Sequence, residues 1–108
     1  AMDRLPPDCY CILTNPPYSL ATEFVLHALE LLPLNGFCYM FLKTTFLEGG
    51  RRYEHIFRDS PPMCMYQLIS RVPCAPNGDF SAIKGSAVSY AWFMWLKGFK
   101  GPTMVQWI

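Results

Sequence analysis

Asn15, Pro16, Pro17 and Tyr18 stand in an unbroken row, and together they suit one kind of target. An asparagine side chain carries a carbonyl acceptor beside an amide donor, and each proline lacks its own N–H while keeping a free carbonyl. The array is therefore biased toward accepting hydrogen bonds. Two stiff prolines hold those acceptors with little conformational freedom left to lose, and Tyr18 adds a flat ring for stacking. A planar ligand bearing an NH2 group matches this set. Two acceptors aimed at one amino nitrogen also draw it toward tetrahedral geometry, which frees its lone pair and favours a reacting state over a resting one.

The elements around the row place it at the end of a strand. Residues 9–14, CYCILT, are apolar throughout, as in a central parallel strand covered on both faces, and the prolines forbid its continuation. Ligands of open α/β sheets bind at such strand ends. Ser19 is positioned to cap a helix whose apolar positions Ala21, Val25, Ala28, Leu29 and Leu32 keep helical spacing until Pro33, Asn35 and Gly36 end it. Glu23, His27 and Glu30 share the opposite face, so His27 reads as a solvated surface histidine. FCYMFL at 37–42 is a second buried strand, with Lys43, Thr44 and Thr45 at its carboxyl end. Residues 46–50 form a loop. Residues 51–58 have helical character with Tyr53, Ile56 and Phe57 on one side, and His55, off that side, has no assigned role.

A third strand covers 63–70, and about fifteen residues rich in Pro, Gly, Asn and Asp follow as a long loop of the kind that is often functional. VSYAWFMWLK at 88–97 is a strand that pairs most simply with the third as an antiparallel hairpin. The tail GFKGPTMVQWI adds a short edge segment.

With 108 residues the chain makes one domain, residues 1–108, and at 52% hydrophobic it carries more apolar surface than so small a core needs. That excess points to a partner. A net charge of +1 announces no large field for nucleic acid or membrane, and excludes neither as a local contact. None of the five cysteines forms a CxxC pair or stands at metal-binding spacing from a histidine, so they read as buried thiols in a reducing cytoplasm and no metal is expected. No apolar stretch reaches the ~20 residues of a membrane helix, and there is no leader pattern, so a soluble, cytoplasmic protein without membrane contact is expected. Ala1 ahead of Met2 reads as a cloning scar.

Asn15-Pro16-Pro17-Tyr18 after an apolar strand resembles the catalytic motif of S-adenosylmethionine-dependent amino methyltransferases, the adenine-specific DNA methylases of phage and bacteria above all. The order of elements resembles the C-terminal half of that fold. The resemblance implies an α/β architecture, a partial Rossmann-like class I methyltransferase sheet of strands four to seven, the last antiparallel, with flanking helices. It implies that Asn15 and Pro16 accept hydrogen bonds from the target amino group, that Tyr18 stacks on a flipped base and that Pro17 is structural. The family places an aromatic residue before the last strand, for which Phe80 is the nearest candidate. DNA is the implied substrate, since such enzymes take their target base out of the stack. Arg51, Arg52, Arg71 and Lys84 are candidates for phosphate contacts, or are solvated surface charges.

S-adenosylmethionine is the implied cofactor, but the family binds it mainly through a Gly-rich loop after the first strand, and nothing in this sequence resembles that loop. Gly49-Gly50 follows the wrong strand. The resemblance thus implies a truncated or split enzyme, incomplete alone, whose sheet is completed by a second polypeptide or by self-association. Fragments of glutamine or ribosomal-RNA methyltransferases share closely similar motifs. A noncatalytic module binding a nucleobase or a protein is the reading of a different class.

Overall fold

The computed structural model describes residues 8–70 and 88–108. The five described strands are β1 (Cys11–Thr14), β2 (Phe37–Lys43), β3 (Cys64–Gln67), β4 (Tyr90–Leu96) and β5 (Met104–Trp107), and they form one sheet in the order β1-β2-β4-β3-β5. β1 and β2 run parallel, β4 is antiparallel to both β2 and β3, and β5 closes the far edge parallel to β3. The expected pairing of the third strand with the aromatic-rich fourth is present, and the tail supplies the edge strand.

Helix α1 (Ala21–Leu31) links β1 to β2 and seats Ala21, Val25 and Ala28 against the sheet, with Leu32 just beyond its end. The 3.6-residue period put these positions on one face, and that face is the buried one. Glu23, His27 and Glu30 lie exposed. Ser19 does not cap the helix: a 3-10 turn, Tyr18–Leu20, carries the chain from the prolines into α1, and Leu20 takes the cap position without a side-chain bond. The other end is held from across the sheet. Lys97 Nζ donates to the Leu32 carbonyl at 2.6 Å and to that of Glu30 at 3.4 Å, satisfying carbonyls left over at a helix C-terminus. Gly98 follows at φ 97, where an added Cβ would meet Leu34 Cδ1 at 2.8 Å. Lys97 and Gly98 thus both meet the segment at the end of α1, one through its carbonyls and one through Leu34.

The segment of expected helical character over 51–58 starts as a three-residue turn, α2 (Gly50–Arg52), and widens into a π-helical turn at Tyr53–Phe57. Its signature is the Arg58 amide bonding to the Tyr53 carbonyl at 2.8 Å. A wider turn breaks the i, i+3 correspondence, so Ile56 is buried and Phe57 partly so, while Tyr53 is 56% exposed.

The core lies on one face, where α1, Phe46 and Ile56 cover Cys38, Met40, Leu42, Met65, Ala91, Phe93 and Trp95. The opposite face carries rings in mutual contact, with Phe41 stacked on Tyr90 at 5.1 Å and meeting Trp92 at 5.0 Å. β1 corrects an expectation. It has one neighbouring strand among the described residues and stands at the sheet edge, with Leu13 67% exposed. Its apolar sequence reflects readiness for burial on both sides, and among the described residues only the α1 side is covered.

The cysteines divide accordingly: Cys38 and Cys64 are buried, whereas Cys11 is exposed on the edge strand. Burial pushes the Cys38 thiol from its ordinary 9.0 up to about 12. Because the folded value is the higher one, its contribution to stability is present below pH 9.0 and is lost as pH rises toward about 12. Mass-spectrometric alkylation mapping at mildly alkaline pH will find Cys11 modified first and Cys38 only after unfolding. Equal rates at the two would refute this arrangement. Among the described residues, no helix is long and apolar enough to cross a membrane.

Candidate functional site

The carboxyl ends of the parallel strands β1 and β2 meet at the site, with the segment after β2 folding back over them. β1 ends at Thr14, and Asn15 follows, exposed, with Pro16 buried behind it. The Leu20 amide bonds to the Pro17 carbonyl at 3.0 Å as the 3-10 turn begins. That turn takes up the second proline's acceptor. No described donor bonds to the Pro16 carbonyl or to the Asn15 amide, so the two acceptors singled out by sequence remain open.

Tyr18 is 38% exposed and is fixed by groups from β2 and beyond. Its hydroxyl lies 3.3 Å from Thr45 Oγ1, Lys43 Nζ stands 4.9 Å from its ring centroid, and Arg52 Cζ stands 5.4 Å from it. Arg52 is itself anchored: Nη1 donates to the Glu48 carbonyl at 2.9 Å, to Thr45 at 3.3 Å and to Phe46 at 3.5 Å, and the guanidinium lies over the Phe46 ring at 4.7 Å. It thus closes the turn at Thr44–Leu47 and sets Thr45 toward the phenol.

The Thr45 hydrogen bond holds the Tyr18 phenol below its ordinary 10.0, aided by the charges of Arg52 and Lys43 and opposed by partial burial. A depressed folded value means that this group stabilises the fold above pH 10.0 and loses that contribution as pH falls through the lower folded value. Neutral-pH stability is untouched by it. A carbon-13 titration of the tyrosine ring carbons will show Tyr18 ionising below 10.0, and Thr45→Val will raise its midpoint. An unmoved midpoint in that variant would remove Thr45 from the site.

Of the sequence candidates, the structure brings Arg52 to Tyr18 and leaves Arg51 exposed in a neighbouring groove of about 750 Å³. That groove runs between α1 and residues 48–55, and it sets Glu23 and Glu48 against Arg51 and Arg52, a mixed lining with no single sign of charge. Phe80, Lys84 and Arg71 lie outside the described residues, as does the whole of the long loop. Lys43 and Thr45 had no assigned role in the sequence; their place at the end of a parallel strand beside the motif strand was the available signal. Gly49 and Gly50 begin the α2 turn after β2 and line the groove, so the described residues build no Gly-rich turn facing the motif.

No family model and no curated protein matches the chain. Solved structures do resemble it. One, assigned as a class I S-adenosylmethionine-dependent methyltransferase from Listeria monocytogenes, has a TM-score of 0.55 and 9% identity over 82% of this chain and 26% of its own. Another, the complex of M1.HpyAVI with SAM, has a TM-score of 0.48 and 17% identity over 89% of this chain and 54% of its own. The chain therefore spans about a quarter of the length of the first and about half of the second. At 9% identity the likeness is one of fold: over its described residues the chain has an open, mixed α/β sheet that resembles part of the first structure.

Proposed function

We propose that this chain is the target-binding part of an S-adenosylmethionine-dependent DNA adenine N6-methyltransferase, with the cofactor site completed by residues other than those described. The observation that carries the reading is the pair of open acceptors, the Asn15 side chain and the Pro16 carbonyl, at a strand end beside the Tyr18 ring.

In this reading the adenine ring stacks on Tyr18 while its amino group donates one hydrogen to Asn15 Oδ1 and the other to the Pro16 carbonyl. Both bonds strengthen as the nitrogen becomes tetrahedral and gains positive charge, so they stabilise the transition state more than the ground state. S-adenosylmethionine, when bound, supplies an electrophilic methyl group. The chain's own contribution is to orient the amino nitrogen and raise its nucleophilicity. The Tyr18 hydroxyl, held by Thr45, fixes the plane on which the base rests.

Amino recognition is testable on the chain by itself. A short single-stranded oligonucleotide with a central adenine will bind more tightly than one with unsubstituted purine there, by roughly 1 kcal/mol for the net hydrogen bonding lost. Asn15→Ala will reduce that preference, leaving the share due to the Pro16 carbonyl. Replacing Tyr18 by Ala will weaken both oligonucleotides by about 1 to 3 kcal/mol, the range for a base stacked on an aromatic ring. Equal binding of adenine and purine by the native chain would reject the amino-acceptor role and favour a plain stacking module.

A further inference from the structure

The Tyr18 ring is already attended by two cations, and neither forms an ion pair with a described carboxylate. The ion pair found among the described residues is Arg58 with Asp59 at 3.6 Å, on the surface. Arg52 is committed to three carbonyls and to the Phe46 ring. Lys43 differs. It is half-buried as the last residue of β2, and its ammonium makes no hydrogen bond or ion pair with a described residue; its recorded contact is the ring of Tyr18.

A base that stacks on Tyr18 competes for the ring with the two cations that now contact it, Lys43 Nζ at 4.9 Å and Arg52 Cζ at 5.4 Å from the centroid. Arg52 is pinned, so Lys43 is the group that yields, and its flexible four-carbon stem allows the move. A displaced ammonium needs an anion nearby. An adenine ring or a glutamine amide brings none, whereas a nucleotide brings its phosphodiester alongside the base. We infer that Lys43 is a phosphate-binding residue that leaves the Tyr18 ring as the base arrives and contacts the phosphate next to it, which makes a nucleic-acid strand, and not a protein side chain, the substrate class of this site. The inference rests on the reading of Asn15 and Tyr18 given above. It adds a phosphate subsite built from β2 to a base site built after β1.

The test uses two otherwise identical adenine-centred trinucleotides, one with ordinary phosphodiesters and one with uncharged methylphosphonate linkages, titrated against the chain by NMR at several salt concentrations. The native chain will prefer the phosphodiester, and the slope of log affinity against log salt will shrink by about 0.7 in Lys43→Gln, the single-strand value for one released counterion. Lys43→Arg will retain the preference. Thermal unfolding followed by circular dichroism will confirm that Lys43→Gln is folded. If Lys43→Gln keeps the full preference and slope, or if the native chain binds both trinucleotides equally, the phosphate subsite is overturned while amino recognition at Asn15 stands. If neither trinucleotide binds, both readings fall together.

Discussion

Under the proposed function, Asn15→Ala will lower methyl transfer by the assembled enzyme by about 10² to 10³, the loss associated with removing one preorganised hydrogen-bonding group from a developing charge. The effect will fall on kcat, because the bond to Asn15 Oδ1 gains strength as the amino nitrogen becomes tetrahedral. Asn15 is exposed, and no described residue bonds to its amide, so its removal leaves no orphaned partner in the fold. Thermal stability will be unchanged within about 0.5 kcal/mol, as for other surface substitutions. Asn15→Asp separates charge from shape: a carboxylate accepts but cannot donate, so activity that survives in Asp and not in Ala identifies acceptance as the role. Single-turnover transfer of a radiolabelled methyl group is the measurement, and undiminished turnover in Asn15→Ala would end the catalytic assignment.

Phe46→Ala will have the largest effect on stability. The ring is fully buried and meets Phe57 at 5.9 Å, Phe93 at 5.8 Å and Trp95 at 6.5 Å, edge to face in each case. Truncating a core Phe costs about 3 to 5 kcal/mol, against a total on the order of 5 to 15 kcal/mol for a domain of this size. Arg52 also loses the ring it lies over, so the turn that presents Thr45 to Tyr18 loosens with the core. Urea unfolding will show the loss, and Phe46→Leu will recover most of it. A Phe46→Ala midpoint close to that of the native chain would contradict this packing.

The parts of the molecule legible in the sequence are those written locally. The buried positions of α1 repeat at helical spacing, the two prolines end β1 where they stand, and the apolar run of β4 pairs with its neighbours as its length demands. The parts that were not legible depend on distant residues. Thr45 reaches Tyr18 across 27 positions and Arg52 comes from the far side of the same turn, a meeting set by the parallel pairing of β1 with β2. The π-helical turn hides because its spacing differs from the period that sequence reading assumes. β1 misleads for another reason: apolar residues record that a surface avoids water, and CYCILT does not say whether a neighbour is present to cover it.

The edge position of β1 has a thermodynamic consequence. The strand that leads into Asn15 is steadied by β2 on one side and, among the described residues, is open on the other. A polypeptide that pairs with the open side restricts the same backbone that a captured amino group must find ordered. Whatever free energy of ordering the first ligand contributes, the second is spared. The two affinities are then coupled with a single factor: the target strengthens the hold of the added strand as much as that strand strengthens the hold on the target.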